Sequence, residues 1–272
     1  MTVRPGEVFG YLGPNGAGKT TTIRLLLDLI RPTAGHVRVL GCDPRADGVA
    51  LRRRIGYLPG DFVVDGRQPA RELLTYLGNL RGGVPRARIE DLAARLDLDL
   101  GARIRSLSRG NQQKVGLVQA FMHAPALLIL DEPTSGLDPL VQHEFLALVR
   151  EARAAGQTVF MSSHVLSEVQ QAADRVGIVR DGRLVAVEGV EAVRRVEIHF
   201  DAPAPAAAFA DLPSVRDVRV DGTVLRCRLD GRADALVKEA GRFTVLSLLA
   251  EEPDLEEVFF AYYHTEGGGR AA

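Results

Sequence analysis

The chain has 272 residues, of which 46% are hydrophobic and 25% are charged, and its formal net charge is −1 at pH 7. These values are typical of a globular protein and exclude a disordered or fibrous chain, and the near-zero charge provides no basic footprint for nucleic acid. Only two cysteines occur, Cys42 and Cys227, and they form no metal-ligating or disulfide pattern, which favours a reducing compartment. The longest apolar stretch, residues 115–130, is interrupted by polar residues and a proline, so we expect no transmembrane helix.

Strands and helices alternate along residues 1–189. The predicted strands are 7–12, 36–40, 55–58, 126–130, 159–161, 176–179 and 184–187. The predicted helices are 21–30, 50–54, 71–80, 88–96, 112–123, 140–154 and 166–173. This alternation predicts an α/β domain with a mostly parallel sheet, and the run of helices between about residues 60 and 125 predicts a helical insertion.

The pattern changes near Gly189. Strands at 196–200, 215–220, 224–229 and 244–249 are interleaved with a short helix in the Ala/Pro-rich segment and a second helix at 233–240. The order β-α-β-β-α-β predicts a small α+β domain of the ferredoxin-like type, residues 190–265, ending in an amphipathic helix at 255–263. The glycine run in residues 266–272 predicts a disordered tail.

One loop in the first domain carries a phosphate-binding pattern. Its residues fit G-x-x-x-x-G-K-[ST], between a predicted strand and a predicted helix: Gly13, Pro14, Asn15, Gly16, Ala17, Gly18, Lys19 and Thr20. The glycines let successive N–H groups point at phosphate oxygens, Lys19 adds a full charge, and the Thr20 hydroxyl is a suitable ligand for Mg²⁺. We therefore predict a nucleotide site made of this loop and Thr21, against the alternative of a chance match in a chain with 28 glycines.

Two acids follow the unbroken apolar run 126–130. Because chemistry gathers at the carboxyl ends of parallel strands, Asp131 is predicted to hold Mg²⁺, through water, and Glu132 to act as the general base. The alternative is an ordinary pair of acids at the start of a helix.

Three further motifs complete a family pattern. They are Leu107-Ser108-Arg109-Gly110-Asn111, Ser135-Gly136-Leu137-Asp138 and Ser162-Ser163-His164. With the phosphate loop and the acids, they resemble the signature loop, D-loop and switch histidine of the ATP-binding subunits of bacterial ABC transporters, and the resemblance covers residues 3–189. The signature loop reads LSRGN, where LSGGQ is the commonest form.

This resemblance implies how the site would work. Ser108 and Gly110 would contact the γ-phosphate held by the opposite subunit of a homodimer, the D-loop would couple the two sites, and His164 would orient Glu132 and water. Ser108 and Asp138 could equally be plain helix N-caps.

The resemblance also implies cofactors and partners. They are ATP, Mg²⁺ and a separate integral membrane permease, at the cytoplasmic, inner face of the membrane, with no nucleic acid expected. The segment 253–259 resembles the tail of drug and antibiotic exporters. Two alternatives remain: a soluble ABC ATPase acting on nucleic acid or ribosomes, and a non-catalytic regulatory subunit.

Two features depart from the family pattern. Gly60 stands where a magnesium-ligating glutamine is usual, so Asp61 or a water would have to substitute. The family also has about two strands and an adenine-stacking aromatic residue before the equivalent of Val3. We therefore expect N-terminal strands to be missing and the strand that begins at Glu7 to lack a pairing partner.

Overall fold

A computed structural model describes residues 1–190 and 193–251 together with Phe259. The chain forms two compact units, Met1–Gly189 and Val190–Ala272. In the part of the chain that the structure describes, no helix is both long and apolar enough to cross a membrane.

The first unit is a six-stranded sheet with helices. Its strands are β1 (Val8–Leu12), β2 (Ile55–Leu58), β3 (Leu127–Asp131), β4 (Thr158–Ser163), β5 (Arg175–Arg180) and β6 (Arg183–Gly189). Its helices are α1 (Lys19–Leu26), α2 (Gly48–Arg53), α3 (Ala70–Leu80), α4 (Arg86–Arg95), α5 (Arg109–Phe121), α6 (Pro139–Ala154) and α7 (Leu166–Ala172). The strand order is β2-β3-β4-β1-β5-β6, with β1 to β5 parallel and β6 antiparallel to β5. This arrangement confirms the predicted α/β class with a mostly parallel sheet.

Strand β1 lies inside the sheet. It pairs in parallel with β4 on one side and with β5 on the other, and all of its residues are buried. The expectation that this strand lacks a partner was wrong, because both of its neighbours come from segments far along the chain.

The register of the sheet brings three strand ends together. Leu12 at the end of β1 pairs with Ser163, and Asp131 at the end of β3 pairs with Ser162. The phosphate loop, the two acids and His164 therefore emerge at one edge of the sheet, where parallel sheets usually bind their ligands.

Residues 36–40 do not form the predicted strand. Val39 exchanges both backbone hydrogen bonds with Cys42 across a tight turn, in which Leu40 and Gly41 have φ of 52° and 79°. A strand needs a neighbouring chain to pair with, and this segment instead buries the Val39 side chain in the core beside Phe9 and Ile23. Helix α1 also ends earlier than predicted, with Asp28 in the left-handed region at φ 54°.

Helices α3, α4 and α5 form the helical region, and α5 packs closely on β2. A Cβ on Gly56 would lie only 2.1 Å from the Ala120 carbonyl oxygen, and one on Gly116 only 2.5 Å from Leu58 Cδ1. Glycine at both positions therefore lets the two backbones approach. This contact fixes the position of α5, and of the loop before it, relative to β2.

Over residues 193–251, the second unit consists of a four-stranded antiparallel sheet and two helices. Its elements are β7 (Val193–Phe200), α8 (Ala207–Ala210), β8 (Val215–Asp221), β9 (Val224–Asp230), α9 (Asp234–Ala240) and β10 (Val245–Glu251). The strand order β10-β7-β9-β8, with every neighbouring pair antiparallel, is that of a ferredoxin-like fold and agrees with the prediction. Its core contains Phe200, Phe209 and Phe243, with ring centroids 5.7–5.9 Å apart. The predicted helix at 255–263 and the tail at 266–272 lie outside the described residues, apart from Phe259.

Candidate nucleotide-binding site

The phosphate loop is shaped by glycine and closed around a lysine. Gly16 and Gly18 have φ of 82° and 107°, a region that residues with a side chain rarely adopt. Gly18 is also the N-cap of α1 and has no side chain to cap the first N–H groups of the helix, so these groups can donate to phosphate oxygens instead. The Lys19 ammonium is 6% exposed and donates to the carbonyl oxygens of Gly13 at 2.6 Å and Pro14 at 3.2 Å.

The β5–β6 hairpin supports this loop from behind. The Gly182 N–H donates to the Ala17 carbonyl at 2.9 Å, and a Cβ on Gly13 would lie 2.5 Å from the Val179 carbonyl oxygen. The loop therefore rests directly on the end of β5 and on the turn that follows it.

Asp131 is held by two hydroxyl groups. Thr20 Oγ1 donates to Oδ2 at 2.8 Å and Ser162 Oγ donates to Oδ1 at 2.5 Å, while the aspartate is only 1% exposed. The cluster offers carboxylate and hydroxyl oxygens, which are the donors that Mg²⁺ prefers. Thr20 and Asp131, predicted separately as metal-site residues, are thus in direct contact.

Glu132 lies between a lysine and a histidine. Its Oε1 is 3.1 Å from Lys19 Nζ and its Oε2 is 2.7 Å from His164 Nδ1. Oε1 is buried and has no hydrogen-bond partner among the described residues, so charge alone holds it. Once it is released from Lys19, this oxygen could accept a proton from a water molecule that reaches it.

The backbone of Glu132 is unusual. Its φ is 47°, in the left-handed region that costs a residue with a side chain roughly 1–2 kcal/mol. Its N–H donates to both the carbonyl oxygen and the Oγ of Ser162, at 3.2 and 3.1 Å, and the Gln113 amide donates to its carbonyl at 3.4 Å and to that of Pro133 at 3.1 Å. These bonds fix the turn that aims the carboxylate.

The LSRGN loop and the D-loop are both capped helix starts, and they touch each other. Ser108 caps α5, accepting from the Asn111 N–H at 3.3 Å, and Asp138 caps α6, accepting from two N–H groups at 3.1 Å. A Cβ on Gly110 would lie 2.7 Å from the Gly136 carbonyl oxygen. Ser108 and Asp138 are therefore helix N-caps, as one of the two interpretations of each residue predicted, and capping does not exclude the role that the motif implies.

The two loops do not contact the phosphate loop of their own chain through any hydrogen bond between described residues. Leu107, Arg109 and Asn111 likewise have no contact with Lys19 or Thr20 among the hydrogen bonds and ion pairs of the described chain. Ser135, by contrast, is tied to the acids, because its N–H donates to the Glu132 carbonyl at 3.2 Å.

Gly60 lies beside the aspartate. A Cβ built on it would be 3.4 Å from Asp131 Cγ and Oδ2, an ordinary van der Waals distance. A side chain at this position would therefore reach the carboxylate without a clash. Asp61, the predicted substitute ligand, is exposed and has no described contact with Asp131.

Three buried polar residues near the acids were not predicted from the sequence as functional. Gln113 and Ser162 bond to Glu132 as described above, and Glu168 accepts hydrogen bonds from Thr134 at 2.6 Å and Ser163 at 3.3 Å. Their exposures are 5%, 0% and 8%. The available sequence signal was the pair Ser162-Ser163, which directly follows the apolar predicted strand 159–161.

Known proteins are similar to this chain in sequence and in fold. The ABC transporter family model matches residues 1–135. An uncharacterized ABC transporter ATP-binding protein of Nostoc is 41% identical over 68% of this chain and 57% of its own length. The Nod factor export ATP-binding protein I of Paraburkholderia xenovorans is 35% identical over 94% of this chain and 88% of its own. A daunorubicin resistance ATP-binding protein of Streptomyces coeruleorubidus is 34% identical over 99% and 90%, respectively.

A solved structure agrees with the sequence relatives. The ATP-binding subunit of an ABC transporter superposes with a TM-score of 0.65 at 31% identity, covering 70% of this chain and 81% of that one. The chain therefore belongs to the ABC transporter family, as one of its ATP-binding, ATP-hydrolysing subunits.

Proposed function

We propose that the chain energises export of a small molecule, working as a homodimer with a separate integral membrane permease on the cytoplasmic face of the membrane. The relatives named for Nod factor export and daunorubicin resistance support export, and the second supports a drug-like or antibiotic cargo. The net charge of −1 agrees with a partner other than nucleic acid.

The observation that carries the catalytic part is the position of Glu132 between Lys19 and His164. A general base must reach the attacking water while its second oxygen is held in place. His164 Nδ1 holds Oε2 at 2.7 Å, and the described partner of Oε1 is the Lys19 ammonium, 3.1 Å away. Glu132 is thus the proposed base and His164 the residue that orients it, with the other ring nitrogen, Nε2, directed to the γ-phosphate.

Lys19 would change partners when ATP binds. Its ammonium is shared between loop carbonyls and Glu132. Triphosphate oxygens carry more negative charge than one carboxylate, and the loop N–H groups gather them around the same ammonium. Lys19 then turns to the phosphates, and Glu132 Oε1 becomes available to water.

The residues present fit a magnesium ion. Thr20 and Asp131 would hold it, Asp131 through water, and the ion would neutralise charge on the β- and γ-phosphates. Gly60 adds no ligand, so the protein donors are fewer than in relatives that carry a glutamine there.

In the dimer, the nucleotide site of each subunit would be completed by the signature loop, residues 107–111, of the other subunit. Ser108 and the free N–H groups of the first turn of α5 form a suitable phosphate contact, since they lie at a helix N-terminus. The contact of Gly110 with Gly136 joins this loop to the D-loop, so movement of one loop is transmitted to the other.

Purification with a candidate permease tests the transport part of this proposal. The chain should co-purify with a polytopic membrane protein encoded beside it, and vesicles containing both should take up a labelled drug only with hydrolysable ATP. Stable ATP turnover by the chain without any dependence on such a protein would instead favour the soluble ATPase.

The non-catalytic alternative is not favoured by the geometry. Glu132 contacts both Lys19, at 3.1 Å, and His164, at 2.7 Å. Its neighbour in the chain, Asp131, accepts a hydrogen bond from Thr20 at 2.8 Å. A subunit that had lost hydrolysis would have no need to keep this set in place.

A further inference from the structure

The hydroxyl of Ser162 lies between the two acids of the proposed site. It donates to Asp131 Oδ1 at 2.5 Å and accepts from the Glu132 N–H at 3.1 Å. Ser162 is fully buried, at 0% exposure, so water cannot replace either bond. One atom therefore contacts both the proposed magnesium residue and the backbone of the proposed base.

The chemistry of these groups permits only one direction for the two bonds. An ionised carboxylate can only accept, and a backbone N–H can only donate, so the serine proton must point to Asp131 and a lone pair to Glu132. In a chain of hydrogen bonds, each bond polarises the next and strengthens it. Loss of the hydroxyl would therefore weaken the positions of both acids together.

Each acid depends on this support in a different way. Asp131 Oδ1 is occupied by Ser162 and Oδ2 by Thr20, which together fix the plane of the carboxylate. Glu132 has the strained φ of 47°, and its N–H is held only by the carbonyl and hydroxyl of Ser162 among the described residues. Removing the hydroxyl leaves one bond to keep the left-handed turn.

We propose that Ser162 is a positioning residue that sets the magnesium-facing carboxylate of Asp131 and the aim of Glu132 with a single hydroxyl. This inference rests on the proposed function of the two acids. It predicts that one substitution changes metal affinity and turnover at once, although Ser162 itself touches neither metal nor water.

The test uses three variants of the full chain. Ser162→Ala removes the hydroxyl, Ser162→Thr retains it, and Thr158→Val is the matched control. Thr158 lies at the other end of β4, is 7% exposed, and accepts one backbone hydrogen bond from Gly6 at 3.0 Å, far from both acids. The first readout is the Mg²⁺ concentration that gives half of the thermal stabilisation by a non-hydrolysable ATP analogue. The second is steady-state ATP hydrolysis at saturating Mg²⁺.

Ser162→Ala should raise the half-maximal Mg²⁺ concentration by roughly 10–100-fold, as loss of a partner behind a metal ligand usually does. It should also lower kcat at saturating Mg²⁺ with little change in KM for ATP. Ser162→Thr should restore both values, and Thr158→Val should alter the melting temperature alone. Should Ser162→Ala not fold, Ser162→Cys, whose thiol is a weak donor and acceptor, carries the same comparison.

Two results would overturn the inference. One is a Ser162→Ala variant with wild-type Mg²⁺ dependence and kcat, and the other is an equal effect of Thr158→Val, which would indicate general destabilisation. If the wild-type chain binds the analogue but does not hydrolyse ATP, the proposed function fails, while the Mg²⁺ dependence of thermal stabilisation still decides the role of Ser162.

Discussion

The ammonium of Lys19 lies 3.1 Å from Oε1 of Glu132, which joins the phosphate loop directly to the proposed base. The lysine also donates to the carbonyls of Gly13 and Pro14, so it occupies the centre of the loop. On the proposed function, nucleotide binding and release of the base would be one exchange, in which phosphate oxygens replace a carboxylate on the same cation.

This exchange predicts the effect of Lys19→Ala. The variant should lose most of the thermal stabilisation that ATP gives the wild type, because a ligand stabilises the folded state only as far as it binds. The measurement is the melting temperature with increasing ATP.

Lys114→Ala is the matched control for this experiment. Lys114 is also 6% exposed and donates to the Asp97 carbonyl at 3.0 Å, away from the phosphate loop. It should melt earlier than the wild type yet keep its response to ATP. An unchanged ATP response in Lys19→Ala would place the nucleotide elsewhere.

The Gly60 position predicts a change in magnesium dependence. A Cβ added at Gly60 would lie 3.4 Å from Asp131, which leaves room for the first atom of a side chain, and the amide oxygen of Gly60→Gln should lower the Mg²⁺ needed for half-maximal ATPase activity. Asp61→Ala should raise that value if Asp61 contributes through water. Equal Mg²⁺ curves for the wild type and both variants would show that this loop does not take part in metal binding.

Gly110→Ala should separate the signature loop from the D-loop. The new Cβ would lie 2.7 Å from a backbone oxygen of Gly136, which cannot rotate away as a side chain could. We expect the ATP-dependent dimer to weaken, measured by analytical ultracentrifugation in a Glu132→Gln background. Gly101→Ala, whose nearest neighbour is the Asp99 carboxylate at 3.2 Å, is the control and should dimerise normally. Equal dimerisation by both variants would argue against a role for the Gly110–Gly136 contact.

His123 predicts how stability depends on pH. Burial and the nearby Arg81 guanidinium, 2.9 Å from Nε2, lower the pKa of His123 to about 4. The unfolded state, with a histidine pKa of about 6.5, then binds more protons than the folded state between these values. His123 therefore favours folding above about pH 6.5, and this contribution is lost as the pH falls towards 4.

The substitution His123→Gln tests whether His123 makes the protein less stable as the pH falls. Denaturant unfolding at several pH values should show a smaller loss of stability between pH 6.5 and 4 than the wild type shows. The same slope in both proteins would mean that other groups cause the acid dependence.

The local motifs could be predicted because the residues within each motif determine its conformation. The phosphate loop requires glycines at Gly16 and Gly18, and a lysine at the helix start, whatever the rest of the chain does. Asp131 ends a strand whose residues are all buried and Glu132 follows it, so their place at the edge of the sheet also follows from the sequence.

The contacts between distant segments could not be predicted in this way. Val39 has the alternation of a strand, but only tertiary pairing decides whether a strand forms, and here it pairs with Cys42 across a turn. Ser162 was read only as part of the motif that ends in His164, and Gln113 was assigned no role. The bonds of both residues to Glu132 arise only when β4 and α5 lie beside β3. A motif covers only residues that are close in the sequence, so it does not predict contacts between distant segments.

The most direct test of the catalytic account is Glu132→Gln. The amide keeps the size of the side chain but cannot take a proton, and it removes the charge that pairs with Lys19. The variant should bind ATP at least as tightly as the wild type, accumulate as an ATP-bound dimer, and hydrolyse ATP at least ~10²-fold more slowly, the usual contribution of a general base. Turnover and dimer mass should be measured on the same preparation. Hydrolysis at the wild-type rate would contradict the account, because Glu132 could then not be the base.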